Sequence, residues 1–173
     1  YNGNGIPYRF AQYNNDGLEI TAGSFYEQFG SGLILRSYEE KTLGIDNAMD
    51  GIRLRYSPIS GVYLKTFIGR ERHFFEYSNG IVRGVDGEVN INDILKLTTK
   101  TKALLGGSVV SRFQNATNPN FNLPENVAAF AGRINVLSGG LNWYSEYAYK
   151  INDPIGSLIE NNYASGNAIT SNL

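Results

Sequence analysis

The single histidine is the first residue whose chemistry must be considered. His73 lies in the sequence Arg-Glu-Arg-His-Phe-Phe-Glu at residues 70–76. A hydrolase could combine it with a serine such as Ser24 or Ser78 and with an acid or amide, but a catalytic triad is defined by its geometry. The chain has no Gly-x-Ser-x-Gly motif, which would mark a nucleophilic serine. We therefore interpret His73 as a structural residue of a strand and predict no catalytic residue.

Five carboxylates gather in and beside a predicted long connection between strands. They are Glu27, Glu39, Glu40, Asp46 and Asp50. Two carboxylates at a suitable separation could hydrolyse a glycosidic bond, and several together with backbone carbonyls could bind calcium. Their spacing matches no EF-hand loop, and Arg36 and Lys41 offer neutralising partners. We predict a solvated loop and no metal site.

Charged and apolar side chains alternate along several segments, and successive side chains of a strand point to opposite faces of a sheet. A sheet with two chemically different faces is therefore predicted. In a membrane barrel the charged side would line the lumen and the apolar side would contact lipid. The predicted lumen-facing residues are Arg53, Arg55, Lys65, Arg133, Glu146 and Lys150. The predicted lipid-facing residues are Ile52, Leu54, Val62, Leu64, Ile134 and Val136.

The arginines form a further group whose partners can be anticipated. They are Arg53, Arg55, Arg70, Arg72, Arg83, Arg112 and Arg133. We expect several of them to share an interior with glutamates, namely Glu19, Glu71, Glu88 and Glu146. In a narrow lumen they would form ion-pair networks, whereas in a wide one they would favour the passage of anions. We favour structural pairing over selective conduction.

The elements that would position these side chains are β-strands. Strands are predicted over residues 6–13, 18–39, 51–57, 62–77, 81–91, 103–113, 127–136 and 141–151. The second of these is too long for one bilayer crossing, so either glycines 30–32 form a bulge or bend, or the ribbon projects into solvent. Turns are expected at 14–17, 58–61, 78–80 and 137–140, and a helical turn capped by Asn92, or a strand end, near 92–97. The result is one all-β domain over residues 1–173, of about eight strands.

Composition excludes several classes of function. The net charge of −1 offers no electrostatic surface for nucleic acid. The absence of cysteine excludes disulfides, thiol catalysis and zinc sites built on thiolates. There is no phosphate-binding glycine motif, metal-binding histidine pair or nucleotide fingerprint, so we predict no cofactor. No apolar run approaches the roughly 20 residues of a membrane-spanning helix.

Two features favour a barrel over a soluble sandwich, although alternation alone fits both. Short turns alternate with the long connections 40–50 and 114–126, as they do in outer-membrane barrels. Aromatic residues gather near strand ends, where membrane interfaces would lie. They include Tyr13, Tyr56, Tyr63, Trp143, Tyr147 and Tyr149. The prediction is an antiparallel up-and-down transmembrane β-barrel. The alternatives are a soluble β-sandwich that binds glycans through Tyr, Asn and Trp143, and a barrel that hydrolyses lipid or glycan.

A family resemblance adds to this prediction. The sequence Phe25-Tyr-Glu-Gln-Phe-Gly-Ser-Gly-Leu-Ile-Leu-Arg-Ser-Tyr-Glu-Glu40, followed by Gly-Ile-Asp-Asn-Ala-Met-Asp-Gly at 44–51, resembles an uncharacterised family of large Bacteroidetes outer-membrane β-barrel proteins. The hairpin around Pro58 and the region 69–72 are similar too, and the likeness spans residues 1–95.

The resemblance implies a location in the bacterial outer membrane, contact with its lipid and association with other envelope proteins, including the type 9 secretion and gliding machinery. It supplies no catalytic residue. Members of that family are much longer, and the chain begins at Tyr1 and ends in the polar run 163–173. We therefore expect a fragment of a larger barrel. The connections 40–50 and 114–126 are the expected partner surfaces, because loops on a rigid scaffold commonly carry recognition.

Overall fold

The computed structural model describes residues 6, 8–73, 76–115, 124–153 and 164–173. These residues form eleven strands and one short helix. The elements are β1 Phe10–Asn15, β2 Leu18–Phe25, β3 Glu39–Glu40, β4 Ile45–Asp46, β5 Met49–Tyr56, β6 Val62–His73, β7 Glu76–Asn90, α1 Ile91–Ile94, β8 Lys102–Phe113, β9 Asn126–Ser138, β10 Leu141–Asp153 and β11 Ala164–Asn172.

Nine of the strands build one large antiparallel sheet. Its order is β1-β2-β5-β6-β7-β8-β9-β10-β11, so each strand pairs with its nearest sheet neighbours along the chain. The remaining two, β3 and β4, pair only with each other. The all-β prediction is therefore confirmed. Among the described residues no pairing joins β1 to β11, so closure into a barrel is not seen.

The first hairpin is tighter than the sequence predicts. The strand expected at 6–13 is found as β1, Phe10–Asn15, and the turn consists of Asp16 and Gly17 alone. Both turn residues have positive φ, 40° and 78°, as the two-residue hairpin turn that matches strand twist requires. Asn14 and Asn15 therefore remain in the ladder, opposite Glu19 and Leu18.

The turn predicted at 78–80 is wrong. These residues lie inside β7, between the pairs Arg70–Ile81 and Arg72–Tyr77, where the register shifts. Three residues of β7 thus oppose one residue of β6, which is a bulge in the ladder. The Ser-Asn-Gly sequence bends the strand instead of ending it. The β6–β7 connection falls at residues 74–75, outside the described part of the chain.

The connection after β7 is organised by two asparagines. The predicted helical turn exists, but its N-cap is Asn90, whose side chain accepts the Asn92 backbone N–H at 3.1 Å. Asn92 is buried instead, and its amide donates to Thr99 Oγ1 and to the Thr101 carbonyl. Its own Oδ1 accepts the Ala103 N–H at 2.9 Å. Asn92 therefore ties this loop to the start of β8.

The largest difference from prediction concerns residues 26–37, which we call the inner segment. β2 ends at Phe25, and the strand expected to run on to residue 39 instead folds back over the sheet. Phe29 N–H donates to the Leu35 carbonyl and Ser37 N–H to the Glu27 carbonyl, so the inner segment is an irregular hairpin. The chain reverses near Gly30, as the bend alternative requires. A ribbon projecting into solvent is contradicted, because Phe29 is fully buried.

The predicted loop 40–50 is largely structured. It contains the small β3–β4 hairpin, and its last two residues begin β5. Ala48 and Met49 are buried, which leaves residues 41–44 as the exposed part. Of the other expected partner surface, residues 116–123 lie outside the described part of the chain.

The inner segment lies on one face of the large sheet, which we call the covered face. Directly paired residues of antiparallel strands share a face, and one row of pairs runs Thr21–Arg53–Phe67–Gly84–Val110–Ala129–Lys150. A small apolar core forms where the inner segment meets this face. It consists of Phe25, Phe29, Met49, Phe67, Val82 and Val110, with Ile34 and Leu35 packed against it.

Gly84 explains how the inner segment can approach so closely. A Cβ on this residue would lie 2.7 Å from the Phe29 ring and 2.6 Å from the Phe67 ring. Only the absence of a side chain therefore allows Phe29 to pack against β7.

The opposite side of the sheet, which we call the open face, carries the row Ile20–Leu54–Thr66–Val85–Val109–Phe130–Tyr149.

Candidate functional site

The covered face gathers the charged residues that the sequence predicted to share a side. Arg55 is paired with Glu19 and with Lys65. Arg133 is paired with Glu146, and the Arg53 and Lys150 positions belong to the row that runs through Phe67. The separation of the charged and apolar sets onto two faces is therefore observed.

Glu27, on the inner segment, is the centre of the first charge network. It is 4% exposed. Arg55 donates to Glu27 Oε2 from Nε at 3.0 Å and from Nη2 at 2.8 Å, and Lys65 Nζ donates to Oε1 at 3.3 Å. Arg53 Nη1 lies 3.8 Å from Oε2, while its Nη2 donates to Glu19 Oε1 at 2.6 Å. One carboxylate thus holds the inner segment over cations from two strands.

Arg133 is the centre of the second charge network. Its Nη1 and Nη2 donate to the two carboxylate oxygens of Asp86 at 2.7 and 3.1 Å, and its Nε donates to Glu88 Oε2 at 3.2 Å. Ser108 Oγ donates to Asp86 Oδ1 at 2.6 Å. Bidentate pairing of a guanidinium with a carboxylate is strong and fixes the relative orientation of the two groups. The Arg133 and Asp86 side chains are only 6% and 2% exposed.

Glu146 anchors the tip of the inner segment. Its Oε2 accepts the Ser31 N–H at 2.7 Å and the Tyr144 O–H at 2.5 Å. The residue is 1% exposed, and Oε1 finds no hydrogen-bond partner among the described residues. Gly30, with a φ of +53°, passes directly beside this carboxylate. The inner segment therefore spans the covered face from β5 to β10.

Tyr26 ties the base of the inner segment to the β4–β5 region. Its hydroxyl donates to Asp46 Oδ1 at 3.0 Å, and Asp46 also accepts a hydrogen bond from Arg72. The Tyr8 ring stacks on the Tyr26 ring with centroids 5.5 Å apart. Burial, together with the hydrogen bond to Asp46, raises the pKa of Tyr26 well above its usual range.

A cleft of about 640 Å³ lies between the inner segment and the sheet. Both charge networks line it, through Glu27, Arg55, Lys65, Asp86, Glu88 and Arg133. Tyr26 and Tyr63 contribute aromatic surface. A cleft of this size falls in the range of small-molecule sites, and it is the candidate functional site of the chain.

The open face gathers the six predicted lipid-facing residues. Ile52, Leu54, Val62, Leu64, Ile134 and Val136 share it through the pairs Ile52–Ile68, Leu54–Thr66, Leu64–Tyr56, Val62–Val89, Ile134–Leu105 and Val136–Ala103. Large apolar side chains on this face are exposed from β1 to β11. They include Tyr13, Ile52, Leu64, Ile68, Val85, Leu105, Val109, Phe130, Tyr147 and Ile169. Charges appear on this face at Arg83 within β7 and at the paired residues Asp50 of β5 and Arg70 of β6.

Five of the six predicted interface aromatics lie on the open face, namely Tyr13, Tyr56, Trp143, Tyr147 and Tyr149. Tyr63 does not, and its grouping with them is wrong. It is paired with Glu88 on the covered face and lines the cleft. Because Tyr63 stands between Val62 and Leu64 in one strand, it must point away from both. The alternation already contained this signal.

The catalytic alternative receives no support from the surroundings of His73. This residue is exposed, and its Nε2 lies 3.8 Å from Glu71 Oε2. Ser78 Oγ donates to the Gly80 carbonyl, and Ser24 Oγ accepts the Arg9 N–H. Among the described residues, neither serine makes a hydrogen bond to the histidine.

The five carboxylates of the acidic neighbourhood do not converge. Glu27 binds Arg55, Asp46 binds Arg72, and Asp50 accepts the Tyr77 hydroxyl at 3.0 Å. Glu40 accepts hydrogen bonds from the Thr42 hydroxyl and N–H, which lower the pKa of its carboxyl. Within the described ranges no three potential ligands are placed to hold a metal ion. The prediction of a solvated loop is wrong for Glu27, which is buried.

The residues that sequence reasoning missed are Asp86 and Ser108. Asp86 and Glu88 are two residues apart in β7, so the alternation of side chains placed both on the charged side of the sheet. Its partner Arg133 is 47 residues away, and no local pattern joins them. Separately, no described helix is long and apolar enough to cross a membrane.

Comparison with known proteins assigns a family but no activity. A family model described as a family of unknown function, DUF6029, matches residues 1–173. The chain therefore belongs to that family. Neither the curated proteins nor the solved structures that were searched contain a match.

Proposed function

We propose that this member of DUF6029 forms part of an integral β-barrel of a bacterial outer membrane, where it is a non-enzymatic structural or accessory component of an envelope complex. One observation carries the proposal. From β5 to β10 the inner segment covers the charged face of the sheet, whereas large apolar side chains of the opposite face are exposed on eight of the nine strands.

A soluble antiparallel sheet normally has the opposite arrangement. Its apolar face packs against the core and its polar face meets water. Here Ile52 and Val85 are 55% and 58% exposed, whereas Arg53 and Asp86, next to them in sequence, are 9% and 2% exposed. An apolar area of this extent on a soluble monomer is an interaction surface. Acyl chains cover such a surface on a membrane barrel, whose strands alternate apolar outside and polar inside.

The inner segment gives the proposed barrel a filled interior. Glu27 and Glu146 hold it across the covered face, and the ion pairs beneath it neutralise most of the charge. Such an interior favours a structural role over selective conduction. The association with secretion and gliding machinery rests on the family resemblance of residues 1–95 alone.

Closure of the proposed barrel requires partners for β1 and β11. A lipid-exposed sheet edge leaves backbone N–H and C=O groups without hydrogen bonds, at a cost of several kcal/mol each. The two edges must therefore pair with each other or with further strands.

The first test is the gel mobility of boiled and unboiled membrane fractions, combined with carbonate extraction. A heat-dependent shift in carbonate-resistant protein is expected. Soluble protein without a shift would contradict the barrel.

A pair of arginine substitutions tests the open face directly. Val85→Arg places a charge in the middle of the apolar face, and Ile59→Arg places one in the β5–β6 turn, at a residue that is 61% exposed. In a bilayer, Val85→Arg should lower the free energy of unfolding by about 2–4 kcal/mol. The matched Ile59→Arg should change it by less than about 0.5 kcal/mol, as surface substitutions do.

The measurement is urea unfolding of both variants refolded into lipid vesicles. The soluble sandwich predicts a different result, since Val85 would then face water or a protein partner. Equal and small effects of the two substitutions in vesicles would contradict lipid contact at Val85.

A further inference from the structure

The cleft on the covered face has an uneven distribution of charge. On the β5–β6 side, the cations Arg53, Arg55 and Lys65 face two carboxylates, Glu19 and Glu27. One positive charge is therefore in excess on this side. Ion pairing leaves this excess unneutralised because the two carboxylates are already shared among three cations.

The opposite side of the cleft has the opposite excess. Among the described residues, the ion pairs of the Asp86 and Glu88 carboxylates are both made with one cation, Arg133. Asp86 on β7 is the direct pairing partner of Lys65 on β6, so the two sides meet between these strands. A cleft of about 640 Å³ thus carries a positive and a negative side next to each other.

The accessible groups are those that carry the excess charges. The side chains of Arg55 and Lys65 are 39% and 32% exposed, and that of Glu88 is 33% exposed. Arg133 and Asp86 are nearly closed to solvent behind them. Tyr63 is 45% exposed, stands opposite Glu88 and offers a flat surface between the two sides. A ligand in the cleft would meet two cations, one carboxylate and one aromatic ring.

We propose that this cleft binds a small zwitterion of the amino-acid or short-peptide class. The ligand carboxylate would lie against Arg55 and Lys65, its ammonium against Glu88, and its backbone over Tyr63. An anion would be repelled by the Glu88 side and a cation by the Arg55 side, whereas a zwitterion is complementary to both. A neutral sugar could stack on Tyr63 but would leave both excess charges without counterparts.

The site uses only the covered face, so it is independent of what contacts the open face. The test is saturation-transfer NMR with glycylglycine as the probe and the full chain refolded in detergent, or in buffer if the protein is soluble. Three variants of the probe accompany it: the dipeptide acetylated at its amino end, the dipeptide amidated at its carboxyl end, and the dipeptide blocked at both. Maltose represents a neutral sugar.

Glycylglycine should give a saturable signal, and each singly blocked form should bind about tenfold more weakly. Lys65→Gln and Glu88→Gln should each weaken glycylglycine by a similar factor. Lys65→Gln should not weaken the amidated form, which has no carboxylate and is a cation that the Lys65 ammonium repels. Lys100→Gln and Glu125→Gln remove exposed charges outside the cleft and should leave every affinity unchanged. Circular dichroism and the melting temperature of each variant confirm that it folds.

Three results would overturn the proposal. They are the absence of saturable glycylglycine binding to folded protein, equal binding of the doubly blocked form, and binding of maltose that competes with the dipeptide. A failure here would leave the gel-mobility result untouched, and a soluble protein could still bind the zwitterion. The two proposals are thus separable.

Discussion

The covered and open faces are built by alternate residues of the same strands, yet many side chains of the covered face are buried and many of those of the open face are exposed. In β6, Phe67 is 4% exposed and its neighbour Ile68 is 50% exposed. In β5, Arg53 is 9% exposed and Ile52 is 55% exposed. An arginine is therefore better buried than the isoleucine beside it.

This difference shows that hydrophobicity does not decide burial in this sheet. The inner segment decides it, because it packs against one face and supplies Phe29 and Glu27 to that face. Burying ions costs several kcal/mol each unless geometry and hydrogen bonds compensate. The bidentate hydrogen bonds of the Arg133–Asp86 pair compensate for this cost of burial. Substitutions of one residue type on both faces can test the comparison.

The largest expected effect comes from a matched pair of phenylalanines. Phe29→Ala removes a fully buried ring from the apolar core under the inner segment, whereas Phe130→Ala removes a ring that is 41% exposed on the open face. Phe29→Ala should lower the free energy of unfolding by about 3–5 kcal/mol, because it leaves a cavity. Phe130→Ala should cost about 1 kcal/mol, because this ring lies at the surface of the sheet and its removal leaves no enclosed cavity.

Urea unfolding in detergent micelles measures both values. If the two substitutions cost the same, the inner segment does not pack on the sheet as described, and the distinction between the faces fails.

The separation into two faces was predictable, because the alternation of side chains along a strand depends on the local sequence alone. The alternation in 51–57 and 62–68 needs no knowledge of partners, and it placed Arg53, Lys65 and Leu64 on their observed sides. The same rule fails for β11, whose sequence Ala-Ser-Gly-Asn-Ala-Ile-Thr-Ser-Asn has one large apolar residue, Ile169. This strand is specified by its ladder with β10, which no local pattern reveals.

The inner segment could not be predicted for a related reason. Its sequence alternates well enough to read as a strand, but Gly84 on a distant strand is what admits Phe29. The residues of the cleft were likewise predictable in part from the local sequence and in part not. Their face was predictable from alternation, whereas the pairing of Arg133 with Asp86 depends on the register of β7, β8 and β9.

The second prediction addresses the charges of the covered face. Asp86→Asn should lower the free energy of unfolding by about 3 kcal/mol, because it leaves the buried Arg133 guanidinium with Glu88 as its remaining carboxylate. Glu125→Gln, at an exposed position outside both networks, should change it by less than about 0.5 kcal/mol. The measurement is again urea unfolding. A near-zero effect of Asp86→Asn would mean that water reaches the pair and that the covered face is open.

The smallest expected effect distinguishes two glycines. Gly30 has a φ of +53°, and a Cβ there would lie 2.6 Å from the Glu146 carboxylate, whereas a Cβ at Gly132 on the open face would meet nothing within 4 Å. Gly30→Ala should cost about 2 kcal/mol, because an L side chain is strained in this backbone region and Glu146 must move. Gly132→Ala should be neutral or stabilise by about 0.5 kcal/mol, since glycine weakens a strand interior. The same unfolding titration compares the two variants. If Gly30→Ala were as well tolerated as Gly132→Ala, the tip of the inner segment would not rest on Glu146, and the covered face would extend only as far as Phe29.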